Sequence, residues 1–194
     1  MITIEIIEND AKNFINSYVL SSYIISYTEY INYFESIKEF NRHNVILGSY
    51  LVYGWMPKIL KFNPDEFNKN INDIVKLINT VRNKELLNKD DLGILKTISN
   101  NSLVGISKLL HFINPKKYAI WDSNVLSYLK SKDGNCKYKI DNCSDYLDYI
   151  NKCNEIVNNP KYDKIHNSIV KKVGYEMSKL RTIELIMFSS SVKK

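Results

Sequence analysis

Residues 105–126 read GISKLLHFINPKKYAIWDSNVL. They hold a lysine on a short apolar helix, a turn at Asn114-Pro115, an apolar run, and an aspartate that opens another helix. Ile106, Leu109, Leu110 and Ile113 recur at helical spacing and form one apolar stripe. Lys108 falls opposite that stripe, with His111 three residues on and beside it, so the lysine is expected to face a cleft or solvent. Pro115 ends the helix and biases Asn114 away from the helical region. Tyr118, Ile120 and Trp121 bring the chain back through apolar surroundings, and Asp122 stands where a helix N-cap stands, ahead of Ser123 to Leu126. Taken singly, such a lysine reads as a solvated residue and such an aspartate as a cap. Their joint placement, at the ends of neighbouring helices joined by a short connector, makes them a candidate pair.

Outward from this stretch the chain reads as helical throughout. At 194 residues with 44% hydrophobic content it can bury a proper core, as one domain or two small lobes. The formal net charge of +6 suits a nucleic-acid partner. The 14 tyrosines accompany heavy use of asparagine, isoleucine and lysine, and are set down to an AT-rich coding bias rather than to stacking surfaces. The N-terminus lacks a basic-then-apolar signal pattern and no run approaches a membrane span, so a soluble intracellular protein is expected. Cys136, Cys143 and Cys153 suit neither a disulfide framework nor a zinc site.

Met1 to Ile7 alternates enough for a short strand or extended arm, and Asn9-Asp10 can cap a helix running to about Leu20. Thr28-Glu29 can start a second helix over Tyr30–Asn41. Asn44 to Leu60 contains Gly54 and Pro57 and reads as an irregular helix end or loop, in which Tyr53 and Trp55 offer one wall of a base pocket or, alternatively, fill a core corner. Asn63-Pro64-Asp65-Glu66 is a helix start with cap, proline and acidic first turn. Asp90-Asp91 introduces a helix to Ile98, Ser144 another to about Asn158, Pro160 the next, and Gly174 to Phe188 the last, with Glu184 on its apolar stripe and Arg181 as its nearest partner. The tail Val192–Lys194 is expected to fray.

The central stretch resembles the catalytic segment of the helix-hairpin-helix DNA glycosylase superfamily, closest to its 8-oxoguanine DNA glycosylases. In that family a tight hairpin leads into a helix whose first turn carries a lysine, and after a short connector an aspartate opens the next helix. SKLLHF, with Lys108, His111 and Phe112, and Asp122 after the run AIW carry the likeness, over about two dozen residues. MSKLRTIELIMF near the C-terminus is similar to the closing helix of compact relatives. The sequence departs from the family in the hairpin, where Leu103-Val104-Gly105-Ile106 has one glycine instead of two, in a shorter connector, and in Ser-Asn after the aspartate. Alignment on His-Phe puts Ser107 in the lysine column and alignment on the hairpin puts Lys108 there; the two differ by about 100° of helix rotation. The hairpin alignment is preferred.

The resemblance implies an all-α, compact helical protein, either a single glycosylase-like domain over 1–194 or two small lobes with a cleft between them. The hairpin and catalytic segment would lie at about 100–126. It implies excision of a damaged or modified base, 8-oxoguanine first, from duplex DNA with the target base flipped out. Lys108 would be the nucleophile and Asp122 would stabilise the cationic sugar. Asn100, Asn101, Ser102 and Gly105 of the hairpin, and His111, would contact DNA or substrate. No metal or cofactor is implied, and a monomer is expected. Two other readings stay open: a DNA- or RNA-binding helical protein without catalysis, and a helical protein-interaction module.

Overall fold

The structure, a computed structural model, describes residues 2–14, 18–61, 63–83 and 86–192, without the side chains of 18–22 and 192. Among them are ten helices and no strand: α1 Ile4–Lys12, α2 Tyr18–Ser36, α3 Arg42–Trp55, α4 Pro64–Arg82, α5 Lys89–Lys96, α6 Leu103–Ile113, α7 Ser123–Lys132, α8 Cys143–Val157, α9 Tyr162–Val173 and α10 Lys179–Val192. The protein is all-α.

Asparagine starts many of these helices. Asn63 accepts N–H bonds from Asp65 and Glu66 ahead of the Pro64 turn, as its sequence predicts. Asn41 and Asn88 form reciprocal capping boxes with Asn44 and Asp91, and Asn142 caps α8. Hence α5 starts one residue before the Asp90-Asp91 pair, and α8 one residue before Ser144.

The N-terminal expectation is overturned. Thr3 caps a helix that begins at Ile4, and Asp10 lies inside it. Ile7 and Ala11, four apart, go to the core, so the helical period wins over the short alternation of ITIEI. The expected continuation to Leu20 crosses residues 15–17, outside those described. Thr28-Glu29 sits in the middle of α2 rather than at a start. Asn44–Leu60 is helical through Trp55; Gly48 inside it lets Phe34 approach to 2.9 Å from where a Cβ would stand. The last helix begins at Lys179, after Gly174 has closed α9 in the left-handed conformation. Of the tail, Lys193 and Lys194 lie outside the described residues.

Two helices organise the rest. α6 packs on α2, α3, α4 and α5, while α10 packs on α1, α7, α8 and α9. Both groups share one continuous apolar core. The connector from Asn114 to Asp122 passes from the first group to the second. It is irregular yet buried from Tyr118 to Trp121, and the carbonyls of that run are satisfied in turn. His111 Nδ1 donates to Tyr118 O, Tyr146 Oη to Ala119 O, Tyr149 Oη to Ile120 O and Ser107 Oγ to Trp121 O.

Candidate active site

α6 is buried on all its faces from Gly105 to Ile113, so Lys108 does not point to open solvent. Its side chain is 9% exposed, and Nζ lies 3.5 Å from Asp122 Oδ2. Asp122 is the N-cap of α7: Oδ1 accepts the N–H groups of Asn124 and Val125, both at 3.0 Å, which leaves Oδ2 for the lysine. Burial pushes the Lys108 amine below the usual lysine range, against the opposing pull of Asp122 and Glu184.

Ser107 lies a residue earlier and turns the other way. It is fully buried, its one hydroxyl hydrogen is within reach of both Val104 O and Trp121 O, and its oxygen accepts the Trp121 N–H. These bonds staple α6 to the connector just before Asp122 and fix the rotation of the helix. Of the two registers, the structure brings Lys108, not Ser107, to Asp122.

Both residues line a pocket of about 200 Å³ between the two helix groups. Tyr23, Trp55, Met56, Lys58 and Val104 form the α6 side; Ile120, Ser123 and Asn124 flank Asp122; Arg181, Glu184, Leu185 and Phe188 of α10 close it. Trp55 is a pocket wall, held by its indole N–H on Ser26 Oγ and by the edge of Tyr23 at 5.2 Å. Arg181 and Glu184 pair through Nη1 and Oε2, as their spacing predicts, but the pair also faces the pocket, which the sequence did not reveal. The guanidinium lies over the rings of Tyr27 at 4.7 Å and Trp55 at 5.7 Å. Burial raises the Glu184 carboxyl to about 7, further helped by Asp122 and opposed by Arg181 and Lys108.

Several expected contact residues are placed elsewhere. Tyr53 is buried away from the pocket; its hydroxyl donates to Ser99 O at 2.6 Å and packs on Gly105. A Cβ at Gly105 would meet that hydroxyl at 2.9 Å, so this glycine serves close packing and not a backbone approach to DNA. His111 is inside the core. Because Nδ1 donates to Tyr118 O, Nε2 accepts from Tyr27 Oη at 2.8 Å, and burial lowers its pKa to about 3. Neither ring nitrogen is left for substrate.

The hairpin, Thr97 to Ser102, turns through two consecutive left-handed asparagines, Asn100 at φ 52° and Asn101 at φ 54°. Asparagine tolerates this conformation better than other non-glycine residues, which explains how the turn forms without glycine. Asn100 spends its side chain on the neighbouring loop, accepting from Lys61 N and donating to Ile59 O. Ser102 caps α6 on Gly105 N, and Asp141 Oδ1 takes the Leu103 N–H. Among these polar side chains Asn101 alone makes no hydrogen bond within the described residues.

Among the described residues no three His, Cys, Asp or Glu side chains come together as a metal would need, and no helix is long and apolar enough to cross a membrane. Comparison with protein-family models, with curated proteins and with solved structures returned no match.

Proposed function

We propose that the protein is a DNA glycosylase with abasic-site lyase activity, acting through Lys108 and Asp122 on a base extruded into the pocket. The observation that carries this is a buried lysine amine 3.5 Å from a capping aspartate, opening on a cavity walled by Trp55. The resemblance of residues 105–126 to the helix-hairpin-helix glycosylases supplies the reaction class, and the net charge of +6 suits a DNA partner bound by a monomer. Kinship favours 8-oxoguanine as the base.

Burial shifts Lys108 toward its neutral amine, the form that attacks carbon. Its Nζ lone pair forms a bond to the sugar C1′; the C1′–N bond breaks and its electron pair leaves on the base nitrogen, which takes up a proton. Asp122 sits where positive charge develops on the sugar. A proton passes from Nζ to O4′ as the C1′–O4′ bond opens to give a Schiff base; loss of a C2′ proton then expels the 3′ phosphate by β-elimination.

Borohydride trapping tests this. Duplexes carrying 8-oxoguanine, uracil or an abasic site are expected to give a covalent protein–DNA band with at least the abasic duplex, and the band is lost in Lys108→Gln. No band with any duplex overturns the reading.

Asp141, which occupies the Leu103 N–H at the start of α6, favours a second reading, a helical interaction module whose pocket takes no base. Salt-dependent DNA binding separates the two, since phosphate contacts carry a steep salt slope that such a module lacks.

A further inference from the structure

Arg181 and Glu184 stand in the same pocket as Lys108 and Asp122, both 2% exposed, and no step above uses them. Three observations set them apart from an ordinary buried ion pair. Arg181 Nε is buried with no hydrogen-bond partner among the described residues. Glu184 bonds Arg181 through Oε2, and no other hydrogen bond engages its carboxyl there. The pair forms the α10 wall of a cavity large enough to admit a ligand, not the middle of a packed core.

The charges of the pocket must also balance. With all four groups ionised, Lys108 and Arg181 carry two positive charges and Asp122 and Glu184 two negative. A lysine that loses its proton to bulk water leaves an uncompensated negative charge in a buried site, which is costly. If the proton stays in the pocket on Glu184, the site remains neutral, with one cation, Arg181, and one anion, Asp122, in place of two of each. The reaction later needs that proton, because the base departs with an electron pair.

We propose that Glu184 is the proton store of this site: it takes the proton that Lys108 gives up before attack and returns it to the nitrogen of the departing base. This rests on the glycosylase reading. One proton moves from Nζ to the carboxylate, then from the carboxyl to the base as the C1′–N bond breaks, so protons and charge balance without an outside reagent. Arg181, clamped over Tyr27 and Trp55, holds the carboxyl at the wall. Lys108 from α6 and Asp122 at the start of α7 face Glu184 across the pocket. Tyr149 and Cys153 of α8 feel its charge from behind, and Tyr27 of α2 and Tyr175 do so beside Arg181. The opposite shifts of Lys108, downward, and Glu184, upward to about 7, run in the direction such an exchange requires.

The test compares single-turnover excision, on whichever of the 8-oxoguanine and uracil duplexes the wild type cuts, with borohydride trapping on the abasic duplex, from about pH 5 to about pH 9. The competent state for excision holds one proton shared by Lys108 and Glu184, so wild-type excision is expected to be bell-shaped in pH. Trapping expels no base and is expected to show only the rising limb of Lys108. In Glu184→Gln excision should fall roughly 100-fold and lose its alkaline limb, while trapping persists with its rising limb moved to lower pH. Excision and trapping lost together in a folded Glu184→Gln protein, or an unchanged excision profile, overturns the proposal. If that variant does not fold, the wild type still decides: excision and trapping profiles of the same shape overturn it. A wild type that neither excises nor traps removes the glycosylase reading, and this proposal with it.

Discussion

α7 carries a lysine–aspartate pair at each end, and the two are built for different work. At its N-terminus Asp122 meets Lys108 of α6; at its C-terminus Lys132 meets Asp10 of α1. Both pairs place charge where the helix dipole favours it on α7, an acid at the start and a base at the end. The Lys132 pair is saturated. Its Nζ lies 2.8 and 2.9 Å from the two Asp10 oxygens, Tyr128 Oη donates to the same carboxylate at 2.7 Å, and the ammonium also rests over the Tyr128 ring. The Lys108 pair is slack, with one contact at 3.5 Å, deeper burial and a cavity beside it. A lysine held by two short contacts to one carboxylate ties elements together. A buried lysine with one long partner and open space keeps its lone pair within reach of a ligand.

The largest expected effect breaks or keeps that distinction outright. Lys108→Gln should lower trapping on abasic DNA by on the order of 1,000-fold or more, and the buried negative charge it leaves uncompensated should lower the melting temperature as well. Lys132→Gln should leave trapping unchanged and lower the melting temperature. The reverse pattern, measured on the same two proteins, would assign the chemistry to the wrong end of α7.

Stability sharpens the contrast from the other side. Asp10→Ala strands Tyr128 Oη and the Lys132 ammonium, and should cost about 2 kcal/mol of unfolding free energy in urea titration while trapping persists. The second stability effect concerns pH. His111 has its folded pKa lowered from 6.5 to about 3 by burial, so the unfolded chain takes up a proton that the native state refuses. Its contribution is therefore present above 6.5 and lost as pH falls toward 3, by about 1.4 kcal/mol per pH unit. Urea midpoints of His111→Gln against wild type should show that slope flattened over this window.

The pairing of Lys108 with Asp122 was legible because each half is a local signal: an apolar stripe that sets a helix face, and a cap residue at a helix start. The Arg181–Glu184 pair was legible for the same reason, as neighbours three apart on one helix. Its position against Lys108 was not, because α6 and α10, some 70 residues apart in the chain, reach one pocket through the packing of the helices around each, which no short pattern encodes. Helical spacing turns Tyr146 and Tyr149 inward, and both are buried, but no local pattern says that their hydroxyls satisfy the buried carbonyls of Ala119 and Ile120 that hold the connector in place. His111 and Tyr53 misled in another way: both lie near the site in sequence, but their polar atoms are consumed by Tyr27, Tyr118 and Ser99. The N-terminal alternation was too short to outweigh a Thr3 cap.

The hairpin gives the smallest expected effect and the finest probe of what sets the Lys108 register. Asn101→Gly removes a side chain that holds nothing and relieves a left-handed asparagine, but it also frees the unfolded chain; the two oppose, so stability should change by less than about 1 kcal/mol. Asn100→Gly relieves the same conformation but releases Ile59 and Lys61, and should cost about 1 kcal/mol. Trapping should survive both, because Ser107, through Trp121, and not the turn, fixes the rotation of α6. If Asn101→Gly abolishes trapping while the melting temperature holds, then that exposed side chain contacts the DNA itself. The slack pair on α7 would then depend on a grip at the hairpin that the saturated pair does not need.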